Sequence, residues 1–130
     1  MIVDAQMWQA YCDPYFRFER DIEYQNFAII TAWNPGSVWV STQENHRNNR
    51  HLAAEIGHTC CISVDVGNHD FSWSEASFAA SISQSQALEL GRKYGQNAIY
   101  YVEREKLYLL SCLDKKQPRV LLGDWRPRCR

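Results

Sequence analysis

The spacing of apolar positions changes period several times along the chain, and each change marks an element. Val3, Met7, Ala10 and Tyr11 recur at helical spacing and Asp13-Pro14 closes the run, which predicts a first helix over residues 3 to 12. "YFRFE" then alternates Phe16 and Phe18 against Tyr15, Arg17 and Glu19, as a half-buried strand does. "FAIITAW" is short and apolar without alternation, the pattern of a central strand covered on both faces.

A second helix is signalled by Ser41 as N-cap with Glu44 three residues later, a capping box, and by Gly57 as its stop. "CCISVDV" sets Ile62, Val64 and Val66 against Cys61, Ser63 and Asp65. "GNHD" is a turn, and "WSEASFAASI" returns with Phe78, Ala80 and Ile82 on one face and Trp73, Glu75 and Ser77 on the other. These two strands pair as a hairpin. The third helix opens at Ser83 with Gln86 as box partner, buries Ala87, Leu90, Gly91 and Tyr94, and ends at Gly95. Gly91 lets that helix approach a sheet closely. "NAIYYV" and "LYLLSC" form another hairpin across "EREK", and "RVLL" can add a short edge strand.

The predicted class is α/β, an α+β sandwich with a mixed sheet of about six strands and three helices in the order α-β-β-α-β-β-α-β-β, with two β-α-β crossovers. At 130 residues and 45% hydrophobic the chain is read as a single domain, 1–130, able to bury one core. Its longest apolar stretch falls far short of the ~20 residues that span a bilayer, and no basic-then-apolar leader is present, so no membrane association is expected.

Charge is uneven. Up to residue 114 there are 8 Lys/Arg against 14 Asp/Glu, whereas Lys115, Lys116, Arg119, Arg126, Arg128 and Arg130 face only Asp124. A basic tail carrying Trp125 has the elements of a nucleic-acid contact. The plainer reading is a peripheral, solvated end that folds back on the acidic body, and no nucleic-acid binding is expected. The five cysteines are odd in number and irregularly spaced, which argues against a disulfide framework and for a reducing cytoplasm. Cys60 and Cys61 are adjacent in an extended segment and point to opposite faces, and His46 and His51 are five apart on a helix, so no metal site is expected.

The stretch "TAWNPGS" follows the most apolar strand and precedes a capped helix, which puts residues 34–41 outside the end of a central strand, where α/β sheets hold ligands. On that helix Asn45, Asn48 and Asn49 share a side with Leu52 and Ile56, so the buried stripe turns polar toward its start. Buried amides need partners, either loop backbone or a ligand. Glu75 lies between Trp73 and Ser77 on one strand face. An indole packed there would desolvate the carboxyl and ready it for acid–base work; alternatively the three form the solvent face of an edge hairpin. "NPGS" offers a single glycine, so a phosphate loop is absent, and no local signature selects a serine or cysteine nucleophile. No cofactor motif is present.

"TAWNPGS", "EN" at 44–45 with "RN" at 47–48, "WSEASF" at 73–78 and "GRKYGQNA" at 91–98 occur in order and resemble the motifs of a small bacterial family of domain-of-unknown-function proteins, over residues 27–102. The resemblance implies a single bacterial domain and supplies no activity. It groups Thr31, Asn34, Ser37, Glu44, Asn45, Arg47, Asn48, Trp73, Ser77, Gln96 and Asn97 as candidate ligand-binding residues beside Glu75, the candidate catalytic one. Two readings follow. The preferred one is a non-enzymatic binding or regulatory module whose polar pocket near residues 34–48 takes a small polar ligand or a protein partner. The alternative is a small metal-independent hydrolase or transferase acting on an amide- or nucleotide-like substrate, with Glu75 as base and Asn34 holding an oxyanion.

Overall fold

The structure is a computed structural model that describes residues 5–113 and 119–130. Along the chain the elements are α1 (Ala5–Tyr11), β1 (Tyr15–Phe18), β2 (Asn26–Ile30), α2 (Thr42–Ile56), β3 (Cys61–Gly67), β4 (Ser74–Ala80), α3 (Gln84–Lys93), β5 (Ala98–Glu103), β6 (Lys106–Ser111) and β7 (Val120–Asp124). The start of the predicted first helix, residues 3 and 4, lies outside the described residues. Among the described residues the class is α+β with three helices, and "RVLL" brings the strands to seven rather than about six.

The expected mixed sheet is corrected. All seven strands form one sheet in the order β1-β3-β4-β2-β5-β6-β7, and every ladder in it is antiparallel. Both predicted crossovers exist, but neither joins neighbouring strands. β2 and β3 run the same way with β4 between them, and β4 and β5 run the same way with β2 between them. This interlocked pair of split β-α-β units is the connectivity of ferredoxin-like domains. β1 extends it beside β3, and β6 and β7 extend it beside β5.

The even apolar character of β2 follows from its position. Ala28 and Ile30 face α2 and α3, in a core with Leu52, Ile56, Ala80, Ala87, Ile99 and Leu110. Phe27 and Ile29 face the other way, in a second core with Phe16, Ile62, Val64, Val102, Leu107 and Trp125. α1 lies over one end of that second core, and the sheet curls around the rest. β1 and β7 are opposite edges, yet the chain following β7 returns to β1, where Cys129 bridges Phe16 in parallel and the Arg130 N–H donates to the Phe16 carbonyl at 2.8 Å. Residues 119–130 are therefore part of the fold. Trp125 packs edge-on against Phe18 and Phe27 at 5.3 and 5.5 Å between ring centres.

Local signals set the helix ends. Ser83 and Gln86 complete a reciprocal capping box, and Ser41 Oγ accepts the Glu44 N–H at 3.1 Å. Gly57 ends α2 in a right-handed conformation, so it does not act through a left-handed stop. Gly91 does what its position on α3 predicts: a Cβ there would meet Cys112 Sγ at 2.7 Å and Ile99 Cγ2 at 2.9 Å. Gly91→Ala should thus destabilise by about 1–3 kcal/mol through overpacking, despite the better helix propensity of Ala. Urea melts check this, and a stabilised variant would show that the helix sits farther from the sheet.

Candidate functional site

"TAWNPGS" leaves the carboxyl end of β2 and turns at once. Thr31 Oγ1 donates to the Ala76 carbonyl of β4 at 2.7 Å and accepts the Trp33 N–H at 3.1 Å. Asn34 then enters the left-handed region at φ 44°, which Asn tolerates better than most residues, and a short 3-10 turn, Pro35–Ser37, follows with Gly36 at φ 68°. The Gly36 N–H donates to the Gly95 carbonyl at 2.6 Å. Gly95 has φ 68° as well, and a Cβ on it would come within 3.0 Å of Pro35 Cβ. The end of α3 and the "NPGS" turn are thereby packed backbone to backbone.

Beneath this turn lies the polar end of α2. The Asn34 N–H donates to Asn45 Oδ1 at 2.7 Å, while Asn34 Oδ1 accepts from Asn45 Nδ2 at 2.9 Å and from the Val40 N–H at 3.2 Å. One turn on, Asn49 Oδ1 accepts the Ala32 N–H at 2.8 Å and its Nδ2 donates to the Ala76 carbonyl at 2.9 Å. The buried amides of α2 therefore brace the loop. Among the described residues no buried side-chain nitrogen or oxygen lacks a partner. Asn49 takes the place expected for Asn48, which is only half-buried, because Asn49 stands one full turn from Asn45. Asn49 was legible from that spacing, though it is absent from the grouped candidates.

Above the turn a cavity of about 280 Å³ opens at one end of the curled sheet, roofed by α1. Met7, Ala10 and Tyr11, the apolar stripe of α1, line it together with Ile29, Trp33, Trp39, Val66, Trp73, Tyr100 and Leu109. Tyr100 donates its hydroxyl proton to the Tyr11 carbonyl at 2.6 Å, and Asn97 Nδ2 lies 3.1 Å from both Tyr11 Oη and Ser37 Oγ. Those bonds tie α1 to β5 and to the "NPGS" turn. Gln96 Nε2 donates to the carbonyls of Trp33 and Tyr94 at 3.2 Å each.

Of the grouped residues, Thr31, Asn34, Ser37, Trp73, Glu75, Ser77, Gln96 and Asn97 line this cavity. Glu44, Asn45, Arg47 and Asn48 do not: Glu44 and Arg47 are exposed on α2, and Asn45 is spent on Asn34. The walls are mainly apolar, and the 34–48 segment contributes only Asn34, Ser37 and Trp39. Tyr11, Tyr100 and Trp33 are contributors the candidate grouping lacks; the stripe of α1 is the signal for Tyr11.

Glu75 stands apart. β4 lies inside the sheet, not at an edge, so the Trp73/Glu75/Ser77 face looks into the curl rather than out to bulk solvent. Among the described residues nothing donates to or pairs with the Glu75 carboxyl, and no Lys, Arg or His lines the cavity. Burial alone pushes it up to about 7.

The basic end is occupied elsewhere. Arg119 pairs with Glu103, Arg126 with Glu105 and Arg128 with Asp13, at 2.7–2.9 Å, and Trp125 is buried, so its ring is not open for stacking on a base. Lys115 and Lys116 lie outside the described residues. The five cysteines are free, and among the described residues no group of three or more His, Cys, Asp or Glu is placed to hold a metal ion. No helix among them is long and apolar enough to cross a membrane.

Fold and site together define a small α+β domain with a mainly apolar end-cavity, an aromatic rim and one unpaired carboxyl inside. Residues 30–99, which hold the "NPGS" turn, α2, β3, β4 and α3, match the family described as Protein of unknown function (DUF3293), and the chain belongs to that family. Comparisons with curated proteins and with solved structures return no match.

Proposed function

We propose that the protein is a binding or regulatory module that takes a small molecule into the cavity between α1 and the curled sheet. The observation that carries this reading is the Glu75 carboxyl, which has no partner among the described residues and sits in a mainly apolar cavity where an unpaired charge is costly. Folding alone favours a Gln or Leu at such a position, so a ligand gives the carboxylate a reason to be there. Aromatic walls with a few polar groups are the usual composition of small-molecule sites, and 280 Å³ suits a small ligand. The free thiols fit a reducing compartment such as the cytoplasm.

Native mass spectrometry of protein equilibrated with a metabolite extract tests the reading. Wild type should retain a small-molecule adduct, and Tyr11→Ala or Trp73→Ala should lose it while staying folded. An adduct indifferent to both substitutions, or none at all, removes the cavity from consideration.

The enzymatic alternative has one observation in its favour: a carboxyl with pKa about 7 is suited to general acid–base work. Asn34, with its Oδ1 spent on the loop, has Nδ2 to offer an oxyanion. Turnover of activated amides or nucleotide esters that disappears in Glu75→Gln, with binding retained, would select it over simple binding.

A further inference from the structure

We propose that the ligand of this cavity is an organic ammonium ion, a primary amine on an aromatic or aliphatic body, held by the Glu75 carboxylate beneath the tryptophan rim; this rests on the cavity being a small-molecule site. Three independent features of the lining point the same way. The first is charge. Among the described residues Glu75 is the one carboxylate lining the cavity, and no Lys, Arg or His lines it to balance an anionic ligand. A carboxylate or phosphate there would face like charge in a desolvated space, whereas an ammonium compensates the charge and donates to it.

The second is an acceptor left unspent in the same lining, where Asn34 Nδ2 is a free donor. Gln96 gives its Nε2 to two backbone carbonyls, which fixes the amide orientation and leaves Oε1 as the end with no protein partner. An ammonium carries three N–H donors and no acceptor, the complement of a carboxylate and an amide oxygen. A neutral hydroxyl supplies one donor and leaves the carboxylate charge unbalanced. The third is the wall. Trp33, Trp39, Trp73, Tyr11 and Tyr100 supply five π systems, and aromatic rings attract cations within ~6 Å of their centres. Trp39 is 82% exposed and Trp73 48%, far more than large aromatic residues usually are, so these two form a rim that an entering ligand can cover.

Ammonium binding requires Glu75 ionised, so it is linked to pH. The other titratable or charged groups facing this region are Tyr11 and Cys12 at the end of α1, Tyr100 on β5, Arg128 of the C-terminal segment and His46 beside Trp33. Burial raises Tyr100 and Cys12, which favours the neutral form of both. Glu75→Gln separates the contribution of Glu75 from that of these neighbours.

Calorimetric titration with 2-phenylethylamine, 2-phenylethanol and 3-phenylpropanoate tests the inference. At pH 8.5 the wild type should bind the amine at least ~10-fold more tightly than the other two, the contrast expected when one charged hydrogen bond is made or lost. Amine affinity should fall about 30-fold between pH 8.5 and pH 5.5, following protonation of a group near 7, while alcohol affinity stays level. Glu75→Gln should unfold cooperatively in urea with a midpoint at or above that of the wild type, which shows that it is folded, and should lose both the amine preference and its pH dependence. If the alcohol or the propanoate binds as well as the amine, or if Glu75→Gln keeps the preference, the ammonium inference fails and the small-molecule reading stands. If none of the three binds at millimolar concentration, both fail.

Discussion

Glu75→Gln should be more stable than the wild type by about 2–3 kcal/mol at pH 8 and equal to it at pH 4. The size follows from the carboxyl's rise from 4.5 to about 7, each unit of which is worth ~1.36 kcal/mol, less the part that water screens at a half-buried position. The sign follows from which state holds the proton. Below pH 4.5 the carboxyl is neutral in both folded and unfolded chains and costs nothing. Between 4.5 and about 7 the unfolded chain ionises first, so the wild type loses stability as pH rises; above about 7 both states are ionised and the penalty is constant. Gln has the same shape without the charge. Urea melts at pH 4, 6 and 8 should give curves for wild type and variant that meet at pH 4 and diverge upward. Parallel curves would mean that Glu75 has a partner in solution, and the proposed site would lose its central observation.

Asn45→Ala should cost about 2–3 kcal/mol, because it strands the Asn34 N–H and removes a donor from Asn34 Oδ1 in a fully buried setting. Asn34→Ala should cost a similar amount for a different mixture of reasons. It frees the Val40 N–H, and it forces Ala into a left-handed conformation at ~1–2 kcal/mol. Asn34→Gly removes the second cost and should recover about 1 kcal/mol of the loss. The double Ala variant should lose less than the sum of the singles, since the two side chains share one hydrogen bond, Asn45 Nδ2 to Asn34 Oδ1. Denaturant melts of the four variants check all four statements. Additive losses would mean that the two amides do not meet. "TAWNPGS" is thus a braced turn first, and it borders the cavity through Thr31, Trp33, Asn34 and Ser37 because the brace holds it there.

Much of the architecture is legible in the chain because its causes are local. The capping box at Ser83 and Gln86, the cap at Ser41 and the tight "GNHD" turn each depend on groups a few residues apart, so quoting those residues is enough to place α3, α2 and the β3-β4 hairpin. The unbroken apolar run of β2 already states that both of its faces are covered. Asn48 marks the resolution of such reading: on a helix, one position is the difference between the buried stripe and its border, and Asn49 took the role.

The identity of the neighbouring strands is not written locally. Hydrophobic period tells that a strand has a buried face, and loop-closure entropy changes too slowly with length to choose between partners, so nothing near "WSEASF" says that β4 inserts between β3 and β2. That insertion turns both crossovers into split ones and makes the sheet antiparallel. It also carries Glu75 from an apparent edge face into the curl, where desolvation acts on it. The basic end follows the same logic: its charges are visible in sequence, but the burial of Trp125 depends on Phe18 and Phe27, roughly a hundred residues earlier. The sequence by itself determined the helices, the strands and the polar end of α2, through bonds and periodicities that act within a few residues. The tertiary structure decided the strand order, the closure of the curl and the exposure of one carboxyl to an apolar cavity, because those depend on surfaces that meet only when distant segments pack.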